Sequence, residues 1–353
     1  MNLKSLKNAF LFFAQTSVLS VITVFAVIPF SCKVSTEGIQ IIGGDYSPPV
    51  VEDLSVLSDR ALQVTFSEKV SVKSALLSDE DKIPLSIQCD SDDKVLTFIF
   101  SSPTQIGRSY EFCALVEDSI GNSLTFSTQF TGYNSRLPDI IITESQVKYT
   151  KATLKNAVEY RSEYVEFLVL SDGNLAGLRL MSASDGEAKA YDFPAVEVSR
   201  GQVFVLHVRS AGEGCISEEG EDLTLASARF SSACRDLWSE NTGARFHDTS
   251  DVIFLFDKSS KKVLDGFMYA AEAAESWSSD CQTAAENLVL AGICDSAEIG
   301  AAAVSSGLSP LKSFHRLDAE EILEKIMAGE SLDYPVKNRG SLWEVKSVDP
   351  GQI

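Results

Sequence analysis

Residues 163–170, which read EYVEFLVL, decide the fold most directly. Val165, Phe167 and Val169 favour strands, and their alternation with other side chains has the period of two that predicts a β-strand. Similar apolar runs occur along the chain, with turn-forming residues between them. These runs are residues 62–66, 95–100, 110–116, 140–142, 203–208, 252–256 and 263–269. The pattern therefore predicts an all-β protein.

The length of the chain favours two domains. Its 353 residues, 44% of them hydrophobic, exceed the roughly 100–200 residues of a typical single domain. Residues 131–138 contain Gly, Asn and Pro between two groups of predicted strands, which is typical of a linker. We therefore predict one β-sandwich at residues 47–132 and a second at residues 137–351.

The amino terminus predicts export. Lys4 and Lys7 precede a charge-free and largely apolar run at residues 8–32, which is the arrangement of a signal sequence. The run approaches the roughly 20 residues that span a bilayer, so an uncleaved signal anchor is an alternative. Because the basic residues stay inside, both alternatives leave the rest of the chain outside the cytoplasm.

A cysteine ends this apolar run. Residues 28–32, IPFSC, resemble the lipobox of bacterial lipoproteins, in which a small residue such as Ser31 precedes the cysteine that is acylated. The two positions before Ser31 depart from the common pattern. The resemblance implies that residues 1–31 form a lipoprotein signal peptide, that Cys32 carries a covalent lipid, and that residues 32–46 form a tether.

The number of cysteines agrees with a lipid on Cys32. The chain has seven Cys, and assigning Cys32 to the lipid leaves an even number that can pair in an oxidising compartment. Each of these cysteines has a neighbour close in sequence, so we predict local disulfides. The predicted pairs are Cys89 with Cys113, Cys215 with Cys234, and Cys281 with Cys294. Buried and reduced thiols are the alternative.

The charge of the chain excludes one class of partner. It has 50 acidic and 30 basic residues, and its formal net charge of -20 would repel a phosphate backbone. We therefore expect no nucleic-acid partner. The acidic surplus is interpreted as a feature that keeps an exported domain soluble.

The first domain resembles a bacterial Ig-like domain. The pieces that carry this resemblance are residues 48–51 (PPVV), 62–70 (LQVTFSEKV) and 118–124 (DSIGNSL). The resemblance implies a sandwich in which the last of these pieces forms the turn before the final strand. Gly121 and Asn122 tolerate positive φ in such a turn, so both are expected to be structural.

The second domain resembles the lamin-tail domain, an immunoglobulin-type sandwich. The pieces that carry this resemblance are residues 142–144 (ITE), 164–167 (YVEF), 175–180 (LAGLRL), 201–206 (GQVFVL), 251–257 (DVIFLFD), 263–265 (VLD), 313–316 (SFHR) and 341–343 (SLW). The segments at residues 210–241 and 270–309 are longer than the corresponding segments of a typical lamin-tail domain. Together the two resemblances imply two tandem immunoglobulin-like β-sandwiches, the second with short helical insertions.

Two short helices are predicted in the second domain, at residues 283–291 and 318–327. Asp318 is the predicted N-cap of the later helix, because Glu321 follows three residues on. Ile322, Leu323, Ile326 and Met327 form an apolar stripe along it, which we expect to pack against the sandwich.

The chain shows no pattern of catalytic or metal-ligating residues. His207, His247 and His315 lie in separate segments without the spacing of a zinc site. The sequence also contains no GxSxG elbow, P-loop or CxxC motif. It therefore predicts no enzyme, no catalytic residue, no metal site and no cofactor apart from the covalent lipid.

Two groups of acidic residues have alternative interpretations. The first group crowds the loop around Cys215 and consists of Glu213, Glu218, Glu219, Glu221 and Asp222. It lacks the ligand spacing of an EF-hand loop, so we expect a solvated loop rather than a Ca²⁺ site. Glu144, Glu163 and Glu166 alternate with apolar residues, so we expect them to face outward from the sandwich.

These features predict a lipoprotein of a bacterial cell envelope that faces the periplasm or the cell exterior. We expect it to act as a binding or scaffolding module for a protein or glycan partner. The contact surfaces are predicted at residues 210–241 and 270–309, because inserted loops on a rigid core carry specificity. A secreted hydrolase with an unrecognised site and a purely structural spacer are the alternatives.

Overall fold

The computed structural model describes residues 47–154, 157–186, 189–210, 212–226 and 234–353. Strands dominate this part of the chain, and the predicted all-β fold is confirmed. Among the same residues, none of the helices has the length and apolar character needed to cross a membrane. The predicted signal peptide and tether lie outside the described residues.

The first sandwich consists of eight strands in two antiparallel sheets. The strands are β1 (Val51–Ser58), β2 (Ala61–Phe66), β3 (Val70–Asp79), β4 (Pro84–Leu85), β5 (Ile87–Asp92), β6 (Val95–Phe100), β7 (Ser109–Asp118) and β8 (Ser123–Thr131). One sheet has the order β1-β2-β6-β5, and the other has the order β4-β3-β7-β8. Strands β1 and β5 are the edges of the first sheet, and β4 and β8 are the edges of the second.

Alternating side chains form the core of this sandwich. Leu62, Val64 and Phe66 of β2 are fully buried, whereas the residues between them are partly exposed. The rings of Phe98 and Phe112, which come from opposite sheets, have centroids 4.7 Å apart. Complete burial of one such ring contributes roughly 1.5–3 kcal/mol. The period of two in the sequence therefore accounts for this core directly.

The second sandwich contains two larger sheets. Its strands are β9 (Ile140–Gln146), β10 (Thr150–Leu154), β11 (Ala157–Arg161), β12 (Tyr164–Val169), β13 (Gly173–Asn174), β14 (Leu178–Ser182), β15 (Tyr191–Asp192), β16 (Glu197–Val198), β17 (Val203–His207), β18 (Arg235–Trp238), β19 (Asp251–Asp257), β20 (Lys262–Ala270), β21 (Ala303–Val304), β22 (Lys312–Arg316) and β23 (Trp343–Ser347). The six-stranded sheet has the order β18-β17-β12-β9-β22-β23. The five-stranded sheet has the order β15-β14-β19-β20-β21, and two short pairs, β10-β11 and β13-β16, lie outside both sheets.

Aromatic residues fill the core between these two sheets. Phe167 and Phe204 stack with their ring centroids 4.9 Å apart. Phe267 of the five-stranded sheet stacks on Trp343 of the six-stranded sheet, at 4.4 Å between centroids. Asp265 joins the same two sheets, because its carboxylate accepts a hydrogen bond of 2.6 Å from the backbone nitrogen of Ile142. This core is distinct from the apolar cluster of the first sandwich.

Two helices cover the outer faces of the second sandwich. Helix α1 (Ser279–Leu290) begins earlier than predicted, because the Ser278 side chain caps it by accepting a hydrogen bond from the Cys281 nitrogen. Its buried residues pack against β19 and β20. Helix α2 (Ala319–Met327) buries Ile322 and Ile326 against the six-stranded sheet, as the sequence predicted.

Two details of helix α2 differ from the prediction. Asp318 occupies the N-cap position but makes no capping hydrogen bond, because its carboxylate binds the Arg316 guanidinium at 2.7 Å instead. Met327 is 67% exposed rather than part of a buried stripe. The Met327 side chain nevertheless contacts Gly201. It lies so close that a Cβ added at Gly201 would be 2.6 Å from the Met327 sulfur.

Both predicted insertions are built into the sandwich. Residues 210–241 supply strand β18, which pairs in parallel with β17 and is buried throughout. Residues 270–309 supply α1 and strand β21, which pairs in parallel with β20. Large parts of both insertions therefore pack against the sheets. Their role as contact surfaces stays a prediction.

The segment that joins the two sandwiches is fixed to the second one. The Asn134 side chain donates hydrogen bonds to the backbone oxygens of Asn174 and Ala176, at 2.7 and 2.8 Å. Gly107 of the first sandwich lies so close to Ala195 that an added Cβ would be 2.3 Å from the Ala195 Cβ. The connecting segment is thus anchored to the second sandwich, and the first sandwich contacts the second at Gly107.

Candidate functional site

A cluster of polar side chains is buried on the outer face of the six-stranded sheet. The register between β9 and β12 pairs Glu144 with Glu166 and then Ile142 with Phe167, so Thr143 is the extra residue of a β-bulge. The bulge places the side chains of Thr143 and Glu144 on the same face as Glu166. Glu144 and Glu166 are each 1% exposed.

Glu144 is the centre of this cluster. Its Oε1 atom accepts a hydrogen bond of 2.5 Å from the Tyr164 hydroxyl and another from the Ser313 hydroxyl. The backbone nitrogen of Asp349 lies 3.5 Å from the same oxygen. Burial raises the pKa of Glu144 to about 7.

Glu166 faces Glu144 across the two strands. Its carboxylate accepts hydrogen bonds from the Thr143 hydroxyl and from the Gly351 nitrogen, both at 2.6 Å. Burial, followed by the negative charge of Glu144, raises the pKa of Glu166 to about 8. At neutral pH, the Glu166 carboxyl group is therefore mainly protonated, which reduces the repulsion between the two glutamates.

His315 lies between Glu144 and the C-terminal segment. Its Nε2 atom is 3.3 Å from Glu144 Oε1, and its Nδ1 atom is 3.4 Å from Asp349 Oδ1. The Ser313 hydroxyl is 2.9 Å from His315 Nε2. Glu144, His315 and Asp349 each offer one ligand atom within 4.8 Å of the others. The sequence predicted no metal site, and it missed this group because its members lie on β9, β22 and the C-terminal segment.

A second histidine on the same face is enclosed by aromatic rings. His207 Nε2 lies 2.7 Å from the Asp236 carboxylate, and both side chains are buried. The imidazole stacks on Trp238 at 3.9 Å between ring centroids and meets Tyr164 edge-on at 5.9 Å. His207 therefore packs within the sheet face, whereas His247 lies at the surface.

The expectation that the three glutamates face solvent is wrong. Glu144 and Glu166 do point away from the core, but other parts of the chain cover them. Glu163 precedes β12 and lies beside the core segment that contains Phe246. Glu163 is 2% exposed, and its carboxylate accepts hydrogen bonds from the Arg245 and Phe246 nitrogens. The alternation in β12 indicated the correct face for Glu166 but could not show that segments distant in sequence cover it.

The acidic loop is not uniformly solvated. Glu218 is fully buried, and its carboxylate accepts hydrogen bonds from the backbone nitrogens of Asp236 and Ala226, at 2.8 and 3.2 Å. Glu213, Glu219 and Asp222 are exposed or partly exposed. The buried glutamate thus anchors the loop to β18, and the prediction of a solvated loop is wrong at this residue.

The predicted lipidation site and disulfides have different outcomes. Cys32 lies outside the described residues, so its lipidation stays a prediction. Cys89, Cys113, Cys281 and Cys294 are unbridged thiols. Cys89 and Cys113 lie on different sheets, and Cys113 points outward because its neighbours Phe112 and Ala114 are in the core.

The remaining cysteines are in or near buried clusters. Cys281 and Cys294 both lie in the apolar cluster beneath α1. The structure therefore does not support the predicted pairs 89–113 and 281–294, and it favours buried thiols for the latter. Cys215 is partly exposed in the acidic loop and Cys234 packs beside Tyr164, so the pair 215–234 stays a prediction.

A groove lies where the two sandwiches meet. It encloses a cavity of about 470 Å³. The first sandwich contributes residues of β1 and β8 to its walls, and the second contributes residues at β15 and after β19. Leu54, Ser55, Phe130, Tyr133, Asp192 and Lys258 are among the lining residues. The groove therefore combines apolar surface with a few charged groups, as ligand-binding clefts usually do.

The fold and these sites define an all-β protein in which a smaller sandwich precedes a larger one with helical insertions. A family model described as TP_1001_2nd, protein second domain, matches residues 138–345. This match covers more than half of the chain, and the chain belongs to that family. The matched residues include the whole six-stranded sheet except the end of β23.

Known proteins with similarity to this chain give little further detail. An uncharacterized protein of Treponema pallidum (strain Nichols) is 23% identical over 219 residues, which are 60% of this chain and 52% of the relative. The chain thus spans about half the length of this curated relative.

Solved structures resemble the chain only distantly. The N-terminal part of the bacterial S-layer protein SbsC has a TM-score of 0.23 and 15% identity, and the match covers 35% of this chain and 41% of that N-terminal part. A DUF4876 family protein from Bacteroides thetaiotaomicron VPI-5482 has a TM-score of 0.21 and 10% identity, and the match covers 53% of this chain and 63% of that protein's chain. At such low TM-scores these likenesses carry no argument about function.

Proposed function

We propose that this chain is a lipid-anchored binding module of a bacterial cell envelope, and that it holds an extended polypeptide in the groove between its two sandwiches. Of the protein and glycan partners that the sequence left open, the proposal takes the protein. The observation that carries it is the set of sheet edges around the groove.

The sequence of the amino terminus supports the envelope location. The basic residues and the long apolar run before Cys32 have the arrangement of an export signal. An acylated cysteine supplies at least two chains, each adding about 0.8 kcal/mol per buried CH₂, so it would hold the protein at a membrane without a basic patch. The residues between Cys32 and β1 reach at most about 65 Å when fully extended, which keeps the first sandwich near the membrane.

The edges of three sheets support a polypeptide as the partner. Strands β1 and β8 are each the edge of a sheet in the first sandwich, and β15 is the edge of the five-stranded sheet. Residues of all three line the groove. An edge strand offers backbone groups that can pair with an added strand, which is how many domains bind extended peptides.

The fixed arrangement of the two sandwiches also supports binding. Asn134 fastens the connecting segment to the second sandwich, and Gly107 contacts Ala195 directly. A groove whose walls are already in place avoids part of the entropy cost of ordering them when a partner binds.

The position of the buried glutamates supports a non-enzymatic role. Glu144 and Glu166 have the raised pKa values that catalytic carboxyl groups often show. However, both side chains are 1% exposed and residues 349–351 lie against them, so an organic substrate would not reach them. We therefore assign Glu144 and Glu166 a structural role.

The lipid anchor is tested by labelling cells that express the full chain with radioactive palmitate. We expect label on the wild-type chain and an intact mass that begins at an acylated Cys32. The C32S variant should lose the label and leave the membrane fraction. A product that retains residues 1–31 without lipid would establish the uncleaved signal anchor instead.

The groove is tested by placing a photo-cross-linking amino acid at Ser55 of the full chain in cells. Ile120 is the matched control because it is 61% exposed and lies at the opposite end of the β7-β8 hairpin from the groove. We expect a protease-sensitive adduct at Ser55 with one defined envelope protein and no such adduct at Ile120. A protease-resistant glycan adduct, or equal adducts at both positions, would contradict the proposal, and the absence of adducts would favour a structural spacer.

A further inference from the structure

We propose that Glu144, His315 and Asp349 bind one divalent transition-metal ion, which fastens the C-terminal segment to the six-stranded sheet. This inference concerns the outer face of the second sandwich and does not depend on the proposed groove. It rests on the placement of three ligand types, on an unpartnered buried oxygen, and on an open side of the cluster.

The three ligands come from three separate segments. Glu144 lies on β9, His315 on the neighbouring strand β22, and Asp349 just beyond β23. The imidazole has Glu144 Oε1 at 3.3 Å on one edge and Asp349 Oδ1 at 3.4 Å on the other. One ligand atom from each residue lies within 4.8 Å of the other two. Atoms that share a metal at about 2.0–2.2 Å must be this close to each other.

A buried oxygen in the cluster has no partner. The Glu144 side chain is 1% exposed, and its Oε1 atom receives all of the hydrogen bonds described above. Its Oε2 atom has no hydrogen-bond partner and is shielded from solvent. Leaving such an oxygen without a partner costs about 1–3 kcal/mol or more, so an ion bound by the Glu144 carboxylate would supply a missing interaction.

The exposure of the three side chains increases from Glu144 to Asp349, so an ion can enter the cluster from solvent. The Glu144 side chain is buried, the His315 side chain is 13% exposed, and the Asp349 side chain is 52% exposed. The cluster therefore opens toward the surface at Asp349. Because Asp349 is at the surface, its carboxylate can adjust its position to close over a bound ion.

The ligand set determines the class of ion. Two carboxylates and one imidazole suit Mn²⁺ or Zn²⁺, whereas Ca²⁺ and Mg²⁺ prefer oxygen ligands throughout. Mn²⁺ is the better probe for this chain, because Zn²⁺ also binds the thiolates of its cysteines. The hydroxyl of Ser313 contacts both Glu144 and His315 and would orient these two ligands.

The experiment titrates the full chain, purified in detergent, with Mn²⁺ and follows the free ion by electron paramagnetic resonance. We expect one bound ion per chain. The D349N variant should bind at least tenfold more weakly, because it removes a ligand charge at an exposed position that does not affect the core. The D333N variant is the matched control, because it removes the same charge from an exposed site outside the cluster, and it should bind like the wild type.

Nuclear magnetic resonance of the imidazoles shows which histidine coordinates the ion. The chain has only three, so ¹⁵N labelling of the imidazoles gives few signals, and the H315Q variant assigns the one of interest. Bound Mn²⁺ should broaden the His315 signal first. The proposal would be overturned if no Mn²⁺ bound, if D349N bound it as tightly as the wild type, or if His207 or His247 were broadened first. In each of those cases His315 would instead serve only as a packing and hydrogen-bonding neighbour of the two carboxylates.

Discussion

The side chains that point away from the core remain near solvent in the first sandwich but are covered in the second. In β7 and β8, partly or fully exposed residues alternate with less exposed ones along the whole strand. In β9 and β12, by contrast, every residue is buried on both faces. The difference arises because α1, α2 and the C-terminal segment lie over the outer faces of the second sandwich.

This contrast shows where polar side chains become buried although they point away from the core. In the first sandwich, the core is apolar and the outward polar residues keep their contact with water. In the second, Glu144, Glu166 and His207 point outward and are nevertheless buried. Covering a sheet face therefore turns ordinary outward residues into a buried polar cluster.

The separation of the two cores is tested by the substitution with the largest expected effect, F98A. Phe98 is fully buried in the first sandwich, and its loss should lower the free energy of unfolding there by about 3–5 kcal/mol. Hydrogen exchange should show weaker protection in β6 and unchanged protection in β12. The matched variant F167A should give the reverse pattern, because Phe167 belongs to the other core. Equal loss of protection in both strands would show that the two sandwiches unfold as one unit.

A pH-dependent stability is expected for the second sandwich. Burial raises the pKa of Asp265 to about 6, which exceeds the value of about 3.9 in an unfolded chain. A raised pKa means that the folded state binds the proton more tightly, so this contribution to stability is complete below pH 4 and is lost as the pH rises through 6. The loss amounts to about 3 kcal/mol.

Comparison with the D265N variant isolates this contribution. The difference in unfolding free energy between the wild type and D265N, measured by urea titration from pH 4 to pH 7, should change by about 2 kcal/mol to the disadvantage of the wild type. Other titrating carboxyl groups are common to both proteins and cancel in the difference. A difference that does not depend on pH would contradict the buried position of Asp265.

The sequence predicted the first sandwich well for a physical reason. Leu62, Val64 and Phe66 have the period of two, and the outer side of their strand is partly exposed, so the pattern and the burial agree. In EYVEFLVL the same period correctly predicted a strand with Glu166 pointing outward. The burial of Glu166 depends on the nitrogen of Gly351, which no local pattern connects to it. The bulge at Thr143 that aligns Glu144 with Glu166 also leaves no signal in the sequence.

The contact between the two sandwiches is tested at Gly107. Both Gly107 and Gly121 have positive φ, at 78° and 104°, but an added Cβ meets Ala195 at 2.3 Å in the first case and nothing within 4 Å in the second. We expect G107A to destabilise the protein by about 1–3 kcal/mol more than G121A does, because of this overpacking. The double variant G107A/A195G should recover most of the difference in thermal unfolding. Equal effects of G107A and G121A would show that the two sandwiches are not in direct contact there.

The open edge of β1 at the groove carries the proposed function, and hydrogen exchange with the cross-linked partner bound tests it most directly. Strands β1 and β5 are the two edges of one sheet, but only β1 contributes residues to the lining of the groove. We predict that the partner slows exchange in β1 and in β8 and leaves β5 unchanged, so that β5 serves as an internal control. Protection of β5 instead, or unchanged exchange in β1, would contradict the binding of a polypeptide in the groove.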